Sequence, residues 1–169
     1  PMKRTLHQLR AFEHLKAKAL NENSKDESVK LKKSKPQSFN NLSSTLLTLR
    51  LIIAGEASGR YGRKVLRKIK SSPYRDDIEF LGKVSKANKI ELLQKAHVLA
   101  VTSVKEGWGL VVTEAASQGT PAVVYDVNGL RDSVRDNWSG CVISHNSPEE
   151  LADKIEVLLG SSKAYNRLR

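Results

Sequence analysis

Glu106-Gly-Trp-Gly-Leu-Val-Val-Thr-Glu114 follows directly on the apolar run of residues 97–102, and two glycines bracket its turn. A buried strand that ends in a tight glycine loop, with a helix starting at Leu110, is the repeating unit of parallel α/β sheets. Glu106 and Glu114 then border one cleft. Gly107 and Gly109 have no side chain to obstruct a ligand there. The first amides of the following helix lack intrahelical acceptors, and with the helix dipole they favour an anion such as a diphosphate. A Gly-x-Gly turn alone is weak evidence, because most such turns only let the backbone bend. Glu114 falls in the second helical turn, where a carboxylate can accept hydrogen bonds from a vicinal diol such as a ribose. Glu106 can accept from sugar hydroxyls. One isolated glutamate is usually a solvated charge; the pair around this turn is what points to a site.

The same alternation extends on both sides. Residues 49–54 are apolar and β-branched, end at Gly55 and precede a helical stretch at 59–70. Residues 78–81 form a strand ending at Gly82, and Ser85 caps a helix through residue 96. Residues 97–102 read as a strand, 110–118 as a helix, 122–125 as a strand after Gly119-Thr120-Pro121, 128–134 as a short helix and 141–143 as a last strand. Ser147-Pro148-Glu149-Glu150 is a capping box with proline at the first helical position. Leu151, Ile155, Leu158 and Leu159 give that helix its buried stripe, and Gly160 ends it. Short apolar strands alternating with helices predict a doubly wound parallel α/β sheet, Rossmann-like and covered on both faces. Ligands of such sheets bind at the carboxyl ends of the strands. Gly55, Gly82 and the loops 103–109 and 126–129 lie on that edge.

The start of the chain differs. Pro1-Met2-Lys3-Arg4 leads at once into a helix over residues 5–20, with Thr5 and Gln8 as a capping box and Leu6, Leu9, Phe12 and Leu15 as its apolar stripe. Residues 21–47 have low apolar content and a run of lysines, which predicts an exposed, flexible basic insertion. The 169 residues suit a single domain, 1–169. The formal charge of +11, from 29 Lys plus Arg against 18 Asp plus Glu, favours anionic partners, although most of it reads as ordinary basic surface. A nucleic-acid-binding module would need clustered cations and aromatic platforms, and only 5 % of the chain is aromatic; no nucleic acid is expected.

Cys141 is the single cysteine, so this chain alone builds neither a disulfide framework nor a thiolate metal site, which fits a reducing, cytoplasmic setting. No apolar run approaches the roughly 20 residues that span a bilayer. His7 and His14 lack a carboxylate partner and read as surface histidines, and His97 as a structural residue. Asp76-Asp77 reads as a turn rather than a metal site, and Trp138 as a loop residue over the sheet.

The stretch Glu106 to Glu114 resembles the Glu, seven residues, Glu signature of retaining glycosyltransferases of the GT-B fold, in particular glycosyltransferase family 4. Leu51-Ile-Ile-Ala-Gly55, Phe80-Leu-Gly-Lys-Val84, His97-Val-Leu-Ala-Val-Thr-Ser103, Glu114-Ala-Ala-Ser-Gln-Gly-Thr-Pro121, Asn128-Gly-Leu-Arg-Asp-Ser-Val134 and Ser139-Gly-Cys-Val-Ile143 resemble, in order, the blocks of its carboxyl-terminal, donor-binding domain. The resemblance implies that Glu114 holds the ribose of a sugar nucleotide and that Glu106, with Gly107, Trp108 and Gly109, faces the donor sugar. Leu110 and Val111 would present amides to the phosphates, Val84 would pack against the base, and Lys3 would neutralise the diphosphate leaving group. Trp108 stands where the family more often has Phe. The family is usually metal-independent, so neither metal nor cofactor is expected; the sugar nucleotide is substrate.

The family's arginine, a few residues before the lysine at the end of a strand, has no counterpart in these residues, and neither has the strand. A central first strand is therefore expected to lie outside this sequence, which reads as a fragment of a longer two-domain enzyme. Its other, amino-terminal domain would bind the acceptor and set any peripheral membrane association, and the fragment alone would be inactive. The alternative within the same fold is a non-catalytic homologue that only binds sugar nucleotides.

Overall fold

Helix α1 (Thr5–Lys30) lies between two β-sheets and buries side chains against both. The structure is a computed structural model that describes residues 3–30 and 42–169. Leu9 and Phe12 enter one apolar cluster with Ile53, Val65 and Ile78. Ala11, Leu15 and Ala19 enter another with Val123, Tyr125 and Ile143. The predicted apolar stripe is therefore divided: Leu6, Leu9 and Phe12 face the first cluster and Leu15 the second.

The expected insertion at 21–47 is corrected at both ends. α1 continues to Lys30, and α2 (Leu42–Leu47) packs back onto it with Leu46 wholly buried. Extending an existing helix needs no new nucleus, and residues 21–30 contain neither Gly nor Pro. Ser43 Oγ donates to Glu22 Oε2 at 2.7 Å, joining the two helices. Residues 31–41, with Lys32, Lys33 and Lys35 of the predicted basic run, lie outside the described residues. Lys16 is buried on α1, where its ammonium donates to the Leu47 carbonyl and meets Asp77 at 2.9 Å. Both partners offset the cost of burying its charge.

β1 (Leu51–Ala54) pairs in parallel with β2 (Ile78–Gly82), and helix α3 (Gly59–Lys70) makes the crossover. α4 (Lys86–Lys95) leads to β3 (Leu99–Val101), α5 (Leu110–Ser117) to β4 (Ala122–Tyr125), and α6 (Leu130–Ser133) to β5 (Gly140–Ile143). β3, β4 and β5 form a second parallel sheet, with Leu99 opposite Ala122 and Ala122 opposite Gly140. All four residues of β4, the central strand, are buried, as a strand covered on both faces requires. The strands thus form two sheets rather than one. Among the described residues no strand hydrogen-bonds to both β1 and β3.

α7 (Pro148–Leu159) and α8 (Ser162–Leu168) close the chain; α8 is too short and polar to be legible in sequence. Ser85 and Ser147 cap α4 and α7 as predicted, accepting from Asn88 N and Glu150 N, each at 3.1 Å, but the expected capping box is only half formed, because the Glu150 carboxylate accepts from Ser144 N and His145 N. Gln8 forms no capping box: its amide donates to the Ala100 carbonyl at 2.7 Å and fixes α1 to β3. His7 is half-buried rather than on the surface, with Nδ1 2.8 Å from the hydroxyl of Tyr125. Burial pushes that hydroxyl up to about 12. His97 is exposed and lies before β3, and Trp138 stands out from its loop under the Arg135 guanidinium. Among the described residues no helix is long and apolar enough to cross a membrane.

Leu46 anchors α2 in the larger cluster. Leu46→Ala is expected to lower unfolding free energy by about 2–5 kcal/mol in urea titration; an unchanged midpoint would show that α2 adds nothing to the core.

Candidate functional site

Loops 103–109 and 126–129 leave the carboxyl ends of β3 and β4 and touch through their backbones. Gly129 has φ +82°, and a Cβ there would lie 2.3 Å from the carbonyl oxygen of Glu106. No side chain fits, so glycine at 129 lets the glutamate loop settle onto its neighbour. Gly109 has φ +63° and turns the chain into α5, and a Cβ on it would press to 2.8 Å from Ser133 Oγ. Gly107, by contrast, has open space around it. Val112 and Ala115 bury one face of α5, leaving the Leu110 and Val111 amides at its first turn with no acceptor inside the helix.

The head of α1 is tied to this edge. Arg4 N donates to the Thr102 carbonyl at 3.2 Å, and Thr102 Oγ1 donates to the Arg4 carbonyl at 3.1 Å. Lys3 is thereby held beside Ser103, and its Nζ donates to Glu106 Oε2 at 2.6 Å. Burial pushes the Glu106 carboxyl up, but the Lys3 hydrogen bond and charge outweigh it and hold the group below the usual carboxylate range. The buried Ser103 hydroxyl is close enough to contribute, though its geometry falls short of a hydrogen bond.

Glu114 faces α4 from the second turn of α5, and Lys89 Nζ donates to its Oε1 at 2.6 Å. Its Oε2 has no partner among the described residues. Val84 precedes the cap of α4 and lines a depression of about 350 Å³ with Leu81, Lys83, Ser85, Asn88 and Leu92. Val84 and Glu114 therefore flank the same helix. Trp108 and Leu110 are both more than half exposed at the mouth of the glycine turn.

The structure thus brings Lys3, Glu106, Gly107 to Gly109, Leu110 and Val111 around one helix terminus, with Glu114 one turn further and Val84 across α4. Lys89 was not legible as a site residue, because a lysine on a polar helix reads as a solvated charge. Among the described residues no group of three or more His, Cys, Asp and Glu side chains is placed to hold a metal ion.

Residues 1–169 match the family model described as Glycosyl transferases group 1. D-inositol 3-phosphate glycosyltransferase of Mycolicibacterium vanbaalenii is 36% identical over 89 residues, which cover 53% of this chain and 20% of that protein. TarM of S. aureus superposes with a TM-score of 0.73 at 21% identity, over 99% of this chain and 28% of that one. HepE of Anabaena, solved in complex with UDP and also with UDP-glucose, superposes with a TM-score of 0.64 at 21% identity, over 71% of this chain and 34% of that one. The chain thus spans about a fifth to a third of the proteins it resembles.

Two outcomes are expected. Gly129→Ala should cost about 1–3 kcal/mol of stability in urea titration; wild-type stability would show that the two loops yield without consequence. Because folding lowers its pKa, Glu106 contributes stability that is fully present above the unfolded value near 4.5 and lost as pH falls through the lower folded value. The stability difference between wild type and Glu106→Gln in urea should therefore shrink on acidification; a difference that does not change with pH would contradict the Lys3 pairing.

Proposed function

The chain belongs to the glycosyl transferases group 1 family, and we propose that it forms the donor-binding half of a retaining hexosyltransferase. Its architecture matches the Rossmann-like, carboxyl-terminal half of GT-B glycosyltransferases. The donor is a sugar nucleotide, and its sugar passes to an acceptor held by another domain of the same protein. The observation that carries this reading is the convergence of Lys3, Glu106 and the first amides of α5 on one strand end, with Glu114 one helical turn away. The UDP and UDP-glucose complexes of HepE support a uridine diphosphate donor.

In this reading Glu114 accepts hydrogen bonds from the ribose hydroxyls through Oε2 while Lys89 keeps Oε1. Val84 packs against the base. Glu106 and the open backbone at Gly107 face the donor sugar, and Trp108 forms part of its wall. As the bond to the sugar breaks, negative charge grows on the diphosphate. The amides of Leu110 and Val111 are already oriented there and stabilise that charge without reorganising, while Lys3 turns from Glu106 toward the diphosphate. Lys3 is suited to this as a compact point charge. In the absence of donor Glu106 holds the ammonium in place, which avoids an unpaired lysine beside a helix dipole of the same sign.

Calorimetry of the intact protein with UDP, GDP and ADP tests the reading. UDP should bind most tightly, and Glu114→Ala should lose about 1.5–3 kcal/mol, roughly ten- to hundredfold in Kd. Equal affinity of variant and wild type for UDP would remove the ribose assignment.

A further inference from the structure

The Ser103 hydroxyl is wholly buried and has no hydrogen-bond partner among the described residues. A buried donor left unpaired is exceptional in a native fold. Asp126 Oδ1 is also buried without a hydrogen bond, but the Arg131 guanidinium lies 3.1 Å from it; Ser103 has no such compensation. Ser103 lies just past β3, its backbone bridges to Lys3, and Glu106 follows it in the same loop.

Lys3 and Glu106 are unequal partners. The Lys3 side chain is 58% exposed, and its long stem can swing to a new anion through solvent. The Glu106 side chain is 23% exposed. Its backbone is fixed as well, because a Cβ on Gly129 would lie 2.3 Å from its carbonyl oxygen. The carboxylate can therefore neither follow the ammonium nor withdraw to water. Lys3 supplies the one hydrogen bond that this carboxylate receives among the described residues. Once Lys3 turns to a diphosphate, a mostly buried charge is left unpaired, which is costly.

We propose that Ser103 is a positioning residue that takes over Glu106: as Lys3 turns toward the diphosphate, the Ser103 hydroxyl rotates and donates to the Glu106 carboxylate. The inference rests on the assignment of Lys3 to the diphosphate. Rotation about one side-chain bond suffices, so the exchange needs no movement of the loop. Burial pushes the Glu106 carboxyl up, while the Lys3 and Ser103 side chains hold it down, so the hydroxyl is already within electrostatic reach. A serine hydroxyl brings one donor and no charge. Glu106 thus stays anionic and fixed in direction, with acceptor capacity left for a hydroxyl of the donor sugar. The hydroxyl that is idle in the free protein is the partner reserved for the bound one.

The test is a double-mutant cycle on the intact protein with Ser103→Ala and Lys3→Met, read by urea titration and by calorimetry with UDP. In the wild-type background Ser103→Ala removes no hydrogen bond from the free protein, so the urea midpoint should hold or rise. UDP affinity should fall roughly tenfold or more, the effect of losing a hydrogen bond to a charged group. In the Lys3→Met background the hydroxyl already holds Glu106 without nucleotide. There Ser103→Ala should lower the urea midpoint and leave UDP affinity unchanged. Should Lys3→Met fold poorly, the two measurements on Ser103→Ala alone decide. An equal drop in midpoint on both backgrounds would make Ser103 a structural residue and overturn the proposal. Unchanged UDP affinity in Ser103→Ala, with Lys3→Met weakened, would overturn it while leaving Lys3 at the diphosphate. Wild-type UDP affinity in Lys3→Met would remove that placement of Lys3, and the exchange with it.

Discussion

Two sheets that share no hydrogen bond are held in one arrangement by a single helix with two buried faces. Leu9 and Phe12 lock α1 to the β1–β2 side, while Ala11, Leu15 and Ala19 lock it to the β3–β5 side. The relation between the halves is set by side-chain packing, with α1 taking the place of a common strand. At its head, bonds from Arg4 to Thr102 and from Gln8 to Ala100 stop the helix from sliding along β3. That anchorage determines where Lys3 stands, and with it the charge next to Glu106.

The proposed site depends on that constraint because the chemistry proposed for it is electrostatic. A carboxylate near a diphosphate is unfavourable unless hydroxyls or cations intervene. Glu106 and Glu114 each have a lysine at 2.6 Å, from α1 and α4 respectively. The two carboxylates are therefore partly neutralised before any ligand arrives. The backbone supplies the rest: Gly129 lets the loop of Glu106 settle against its neighbour, and Gly109 aims the start of α5 at the same place. None of these elements is a reactive nucleophile, which suits the proposed task of holding a leaving group.

Much of this was legible in sequence because short-range signals and tertiary structure agree there. The strand, glycine turn and helix around Glu106 to Glu114 fold as their pattern dictates, and Ser85 and Ser147 cap where expected. Failures came where a distant contact decides the outcome. Asn21 to Ser24 read as loop from composition, yet continue a helix already nucleated. Gln8 has capping-box spacing, but β3 offers its side chain a better acceptor. His7 lacked a sequence neighbour to pair with, and its partner Tyr125 is 118 positions away. Lys89 was invisible for the same reason, since only the packing of α4 on α5 brings it to Glu114.

A crystal structure of the intact protein with UDP tests the central claim most directly. The account predicts both ribose hydroxyls within hydrogen-bond distance of Glu114, the diphosphate on the Leu110 and Val111 amides with Lys3 turned toward it, and the base beside Val84. Density for the nucleotide elsewhere, with Glu114 still paired only to Lys89, would contradict it.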